Sequence, residues 1–292
     1  MIEHCTIPAH DGHVTSVIFT PDGSHIVSAG TDALIRIWSV PTQEKSAEWP
    51  GHEKSVNTLA FSPDGETLAS GSADNTIRLW KYPTGEPGVM MKGHRNTVSC
   101  VDFSADGTRL ASAAYDAKVK VWDTASGNLL QTFEGHPKTV AAVCFIEGNS
   151  LLASGGIGSD ILVWDAHTNQ VVQSLKGHQT LINSLHLADG GKMLISAGYE
   201  GTVRIWSTQT WEQIAAIRLD TKGNYPLAVS PSGSLLAVGA EYCVVLIDVW
   251  AGKVIDQLLV PSRCIYSVAW SPDQLWMAAG TADKNVHIWK NE

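Results

Sequence analysis

Apolar and polar positions alternate along this chain in short bursts, and the bursts are closely spaced. Ser55–Phe61 (SVNTLAF), Thr67–Ser72 (TLASGS), Thr76–Trp80 (TIRLW) and Gly88–Lys92 (GVMMK) show the pattern. Alternation with a period of two, rich in β-branched residues, predicts strands that bury one face. Turn signals separate the bursts: SPDG at Ser62–Gly65, SAD at Ser72–Asp74, PTGEPG at Pro83–Gly88. Ser and Asp side chains bond nearby backbone N–H groups and Gly accepts positive φ, so each signal favours a reversal. Helix start and stop signals are nearly absent.

The pattern repeats. GHEKSVNTLAFSPDGETLASGSADNTIRLW runs from Gly51 to Trp80, and GHRNTVSCVDFSADGTRLASAAYDAKVKVW from Gly93 to Trp122. Closing tryptophans stand at Trp38, Trp80, Trp122, Trp164 and Trp206, each 42 residues from the last. The next step lands on Asp248, and the one after, short by one, on Trp289. Such a period marks a repeat architecture whose units bury their faces against each other. The repeats run approximately over 10–50, 51–92, 93–134, 135–176, 177–218, 219–260, and 261–292 together with 2–9. Length alone suggests two domains. A closed ring of small units instead makes residues 1–292 one domain. The expected fold is all-β: a seven-bladed β-propeller with four antiparallel strands per blade.

GH, then SPDG, then LASGSxD, then IRLW, in phase across the chain, resembles the WD-repeat (WD40) family. The resemblance runs from Met1 to Glu292. The acidic residue after the tryptophan survives only at Asp123 and Asp165. Family propellers close by pairing a terminal strand into the last blade. Here residues near Ile2–Pro8 are expected in that role, because Glu3–Ala9 precedes His10 as Gln131–Gly135 precedes His136. Closure would pair an otherwise open sheet edge. The stretch after each IW is assigned to the outer edge of the neighbouring blade.

Ser, His and Asp recur together and imitate a catalytic triad. They stand at His10, Ser28 and Asp32 with Trp38, at His52, Ser70 and Asp74 with Trp80, and at His94, Ser112 and Asp116 with Trp122. An enzyme needs one such site, not copies in register, so no catalytic residue is assigned. The resemblance implies a structural tetrad instead, with Asp accepting from His, His engaging Ser, and Ser engaging the indole. The brace decays along the chain. The fourth unit keeps His136, Ser154 and Trp164 but has Gly158 at the Asp position, with Asp160 as the available substitute. The fifth has His178, Ser196, Trp206 and Glu200; the seventh keeps Asp283 and Trp289. The sixth (Asp220, Val238, Tyr242, Asp248) has no tetrad and is expected to be the least regular. Its third strand ends at Asp248 unless Trp250 is a shifted repeat tryptophan.

The resemblance also implies where partners bind: the narrow face, at positions three and five after the repeat histidine and one before the turn aspartate. These positions hold His13, Tyr115, Ile157, Leu181, Tyr199, Tyr225, Glu241 and Tyr266. Four of the chain's six tyrosines are among them. Tyrosine joins apolar area to a polar tip, which suits an interface that is also soluble when free. The alternative is that these residues only line the rim and pack on one another. The first two units offer small groups there, such as Thr15, Thr31, Ser55, Asn57 and Ala73.

Charge narrows the partner. Net charge is −9, and the rim positions hold no basic cluster. Nucleic acid and phosphopeptides are disfavoured, since both need cations. The expected function is a scaffold for a protein or peptide segment. A small-molecule or glycan-binding propeller, or a structural module of a larger protein, is the alternative. A monomeric ring is expected. No cofactor is expected: GxxxxGK[ST] and HExxH are absent, and GGIGSD at Gly155–Asp160 lies in a turn and not before a helix. No apolar run is long enough for a membrane span, and the N-terminus MIEHCTIPAH is no signal peptide. Five scattered cysteines without a CxxC fit free thiols in a reducing, cytoplasmic setting, with the nucleus left open. His25, His167, His186 and His287 read as surface or packing residues. Arg36, Arg78, Lys120 and Arg204 read as solvated or paired edge groups. Trp270 stands at a core position, and Trp49 and Trp211 near exposed outer strands.

Overall fold

Each burst of alternation becomes one strand. In the computed structural model, which describes residues 1–146 and 150–291, the third repeat folds into Val98–Phe103, Arg109–Ala114, Lys118–Asp123 and Leu129–Glu134. They pair antiparallel in that order, from the ring centre outward. Among the described residues there are seven such four-stranded sheets, and the only helical piece is the single turn Asp189–Gly191. The chain is a seven-bladed β-propeller.

The outer strand belongs to the same blade as the IW strand before it, not to the neighbour. Leu129–Glu134 pairs with Lys118–Asp123 through Val119↔Phe133 and Val121↔Gln131. The reason is the short turn between them, closed by Gly127 N–H on Asp123 O at 2.8 Å. A reversal that tight cannot leave the blade. Only the segment that carries GH crosses to the next one.

Blades bury their faces on each other. Val119, Val121 and Phe133 of the third blade pack with Val140, Val143, Phe145 and Trp164 of the fourth. The GH glycine sits where the indole comes closest. A Cβ on Gly51 would lie 2.5 Å from Trp80 Cη2, and one on Gly135 2.8 Å from Trp164 Cη2. Trp49 is 5% exposed and stacks on Trp80 at 6.1 Å between centroids. It therefore faces the blade interface, contrary to its expected exposure; an outer strand still has one buried face. Trp211 is partly buried. Trp270 is core, its Nε1–H donating to Ala228 O at 3.2 Å.

Ile2–Pro8 pairs antiparallel with Asn285–Lys290 as the fourth strand of the last blade. Ile7 and Ala9 are buried there with Val14, Trp38, Val286 and Ile288. Ala9 N–H and His10 N–H both reach Lys284 O at 3.1 Å. The ring is shut.

Six blades carry a register shift in the inner strand, as at Val98/Cys100 and Val140/Ala142. Such a bulge increases twist locally. The sixth blade departs from this: its inner strand, Leu227–Val229, is three residues long. Its third strand is Cys243–Asp248, and Trp250 follows in the turn, 60% exposed. The aspartate, and not a shifted tryptophan, closes that repeat.

Candidate functional site

The recurring Ser, His and Asp residues form the expected brace in the first three blades. In the second, His52 Nδ1 meets Asp74 Oδ2 at 2.8 Å and His52 Nε2 meets Ser70 Oγ at 2.8 Å; Trp80 Nε1–H donates to Ser70 Oγ at 2.8 Å. The matching contacts are 2.9, 2.8 and 2.9 Å in the first blade and 3.0, 2.7 and 2.8 Å in the third. Glu200 completes the fifth, on His178 and Ser196. In the fourth, His136 keeps Ser154 at 2.7 Å, but Asp160 turns away to accept from Ser174 Oγ at 2.9 Å. Ser28, Ser70, Ser112, Ser154 and Ser196 are fully buried. No substrate reaches them, so the array is structural. In the last blade Asp283 instead meets His287 Nε2 at 3.2 Å, and His287 Nδ1 lies 3.1 Å from Thr6 Oγ1 of the closing strand. His287 is thus a buried closure residue.

The tetrads set an acid limit. Burial lowers the pKa of His10, His52 and His178 despite their carboxylate partners. Burial alone brings His136 down to about 4, against a weak pull from Asp160. These histidines fold neutral. Their contribution is complete above the unfolded value of about 6.5 and is lost as pH falls toward the folded one. Burial opposes ionisation of Asp74, but bonds from Thr76, Glu53 N–H and His52 outweigh it and hold the group at about 2. Its contribution disappears later, below pH ~4. Melting temperature should therefore be flat above neutrality and fall between pH ~6.5 and ~4. A pH series of thermal melts checks this. His136→Gln should flatten the slope, and an equal slope in the variant would contradict the assignment.

The rim at one mouth of the central channel carries Tyr115, Tyr199 and Tyr266, three of the four expected tyrosines. Tyr115, Tyr199 and Ile157 are 49%, 45% and 40% exposed. His13 is exposed and Tyr266 half-buried, with ring centroids 5.7 Å apart. His13 Nδ1 lies 2.7 Å from Ala282 O. Tyr199 donates to Asn224 Oδ1 at 3.3 Å, and burial followed by the neighbouring Tyr115 and Tyr266 pushes its hydroxyl pKa up. Leu181 is half-buried. Glu241 is half-buried and paired with Arg263 Nε at 2.8 Å.

Tyr225 is a correction. It is 2% exposed, packs in the core between blades five and six, and donates to Thr221 O. The sixth unit lacks the repeat histidine, so counting from its place gives the wrong level. The chain also turns there, with Tyr225 at φ +53°. Tyr242, 51% exposed in the turn of the same blade, was not singled out as a rim residue because it stands at the turn-aspartate position, one after Glu241.

Below the rim lies a central channel of about 870 Å³. Side chains of one inner strand bond the backbone of the next and fix its wall. Asn57 Nδ2 donates to Val98 O at 3.0 Å, Ser99 Oγ to Val140 O at 2.8 Å, and Phe145 N–H to Asp102 Oδ2 at 2.8 Å. Val17 N–H donates to Ser267 Oγ at 3.0 Å across the closure. Sequence patterning singled out Asn57 as a rim position and passed over Asp102. Their offset of about one repeat from their partners was the available signal. His186, expected at the surface or in packing, lines this channel. Among the described residues, no group of three His, Cys, Asp or Glu side chains is arranged for a metal ion, and no helix is long and apolar enough to cross a membrane.

Comparison with known proteins agrees with this geometry. The family pattern described as "WD domain, G-beta repeat" matches residues 3–39, 43–81, 85–123, 127–165, 169–207 and 253–290. The unmatched interval contains most of the sixth blade. A curated relative, DDB1- and CUL4-associated factor 13 from Dictyostelium discoideum, is 43% identical over 44 residues. That stretch is 15% of this chain and 10% of the relative, so the chain spans about a tenth of that protein's length.

Proposed function

Because the chain belongs to the WD40 repeat family, we propose that it is a non-enzymatic interaction scaffold that binds a peptide or protein segment on its narrow face. The observation that carries the reading is the solvent-exposed group of Tyr115, Tyr199 and Ile157 at the mouth, joined by Tyr266 and His13. Large apolar side chains at a surface lose hydration on contact with a partner, and tyrosines are frequent energetic centres of interfaces. They come from blades three, four, five, seven and one, so a partner that touches them spans the mouth. Glu241 belongs to the edge of this surface, where Arg263 already neutralises it. Leu181 adds apolar area.

The relative is named as a factor associated with DDB1 and CUL4. The shared stretch is about one repeat long, so it supports a scaffold and not a particular partner. The free thiols of Cys100, Cys144, Cys243 and Cys264 support an intracellular setting.

The test is affinity capture from cell extract with wild type and Tyr115→Ala/Tyr199→Ala. Both side chains are exposed, so the melting temperature should hardly change. Narrow-face partners should fall by about tenfold or more, as for loss of interface anchors. Lys45→Ala/Glu86→Ala, on the outer edges of blades one and two, should leave capture intact. Retention of every partner by the tyrosine double variant would end the proposal.

A further inference from the structure

Blade one supplies the template for an open site in blade two. Arg36, in the strand Ile35–Ser39, is 8% exposed. Its Nε–H donates to Glu48 Oε2 at 2.7 Å, and its Nη1–H to Asp32 Oδ2 at 2.8 Å and Ala9 O at 2.9 Å. Lys45 Nζ donates to the same Glu48 oxygen at 2.9 Å. The buried guanidinium is compensated from two sides.

Arg78 holds the same place in the strand Thr76–Lys81, and among the described residues it has no such contacts. Two changes of sequence explain this. The residue across from Arg36 is Glu48, but the residue across from Arg78 is Met90. Where the first blade has Leu34, the second has Thr76. Its hydroxyl and its N–H donate to Asp74 Oδ1 at 2.6 and 2.9 Å, while His52 Nδ1 and Glu53 N–H take Oδ2 at 2.8 and 3.0 Å. Asp74 is therefore engaged elsewhere. Arg78 Nε is left buried with no hydrogen-bond partner. Arg204 Nε shares that lack, but its other nitrogens reach Gln213 and Gly177 O. A buried charged donor without an acceptor is costly, so Arg78 is poised to gain from one.

A cavity of about 360 Å³ lies beside it, lined by Arg78, Met90, Lys92, Glu53 and Asp74. Residues two apart on a strand share a face, so Lys92, which pairs across from Thr76, lies on the side of Arg78 and Met90. Lys92 is exposed and has no ion pair among the described residues. The turn at Asp74–Thr76 is the second blade's counterpart of the turn that follows Tyr115, so the cavity opens on the tyrosine side of the ring.

We infer that this cavity binds a carboxylate, the side chain of Glu or Asp on an acidic peptide segment of a partner, with Arg78 gripping it in the place of Glu48 and Lys92 acting as Lys45 does. A guanidinium meets a carboxylate through two parallel N–H donors, which favours this anion. A phosphate dianion fits less well, because Glu53 and Asp74 line the same cavity. The site lies outside the tyrosine mouth, so it adds to that reading and does not depend on it.

The experiment titrates acetyl-Gly-Gly-Glu-Gly-Gly-amide, and the same sequence with Gln, into the whole nitrogen-15-labelled protein and follows the Arg78 Nε–H resonance. The Glu peptide should shift it saturably and bind about tenfold or more tightly than the Gln peptide, the range of a charge-assisted contact. Met90→Glu restores the arrangement of blade one. It should move the resonance with no peptide present and weaken the Glu peptide by about tenfold or more. Met90 is 38% exposed, so the variant should fold. Equal binding of both peptides to wild type, binding of neither, or full affinity of Met90→Glu for the Glu peptide overturns the inference. Acetate or inorganic phosphate binding as tightly as the Glu peptide overturns the assignment to a peptide carboxylate. A Glu preference that persists in Tyr115→Ala/Tyr199→Ala, in a preparation that loses no captured partner, upholds this site and ends the mouth reading.

Discussion

Deleting residues 1–8 should lower the melting temperature by roughly 10 °C or more. The segment supplies the fourth strand of the last blade, with six register pairs from Ile2↔Lys290 to Pro8↔Asn285. Ile7 is 3% exposed, and its burial is worth about 2 kcal/mol. Each backbone bond lost adds about 1 kcal/mol net. His287, 1% exposed, loses its contact with Thr6. A loss on the order of 5 kcal/mol, at about 2 °C per kcal/mol for a large domain, gives the stated shift. The deletion also leaves Asn285–Lys290 as an open edge next to the junction of blades seven and one. Calorimetry of the truncated and intact proteins measures the effect. An unchanged transition would mean that the ring does not depend on this strand.

His52→Ala should destabilise by about 3–4 kcal/mol, and His136→Ala by at least about 1 kcal/mol less. In the second blade the imidazole joins Asp74 to Ser70 and packs edge-on against Trp80, 6.3 Å between centroids. Its removal leaves a cavity and takes a partner each from Ser70 and from Asp74, a carboxylate whose side chain is 6% exposed. In the fourth blade the imidazole has the serine and the Trp164 ring, at 6.0 Å, but no carboxylate. Less is stranded when it goes. Urea denaturation of the two variants gives the comparison. Equal losses would show that the carboxylate end of the chain adds nothing to the brace.

Blade number, strand limits and ring closure were legible in the sequence because each rests on a repeated local cause. The tryptophan period counts the units, SPDG and SAD place the reversals, and the pairing place of Ile2–Pro8 follows from the offset of the first GH. Whatever depends on packing between units was harder to read. Trp49 lies on an edge strand by pattern, yet the neighbouring blade covers it. Tyr225 fails for another reason. The position rule is anchored on a histidine, and the sixth unit has none, so a different loop path moves that phenol into the core. Asp160 shows the same limit, since closeness along the chain to the missing aspartate did not decide which way the carboxylate turns. Asp102 was missed because a single acidic residue in an alternating strand looks solvent-facing. Only ring geometry makes that side the inside.

The pairing of residues 2–8 with 285–290 also governs how the protein is made. During synthesis the Ile2–Pro8 strand leaves the ribosome with no partner, and it must wait until residues 285–290 have been translated. For that interval it is an unsatisfied β-edge, the kind of segment that invites wrong pairing. Intermediate blades can form as they emerge, because their contacts are local. The last blade cannot, so ring closure waits until residues 285–290 have been made, and residues 2–8 are the segment that stays unpaired longest.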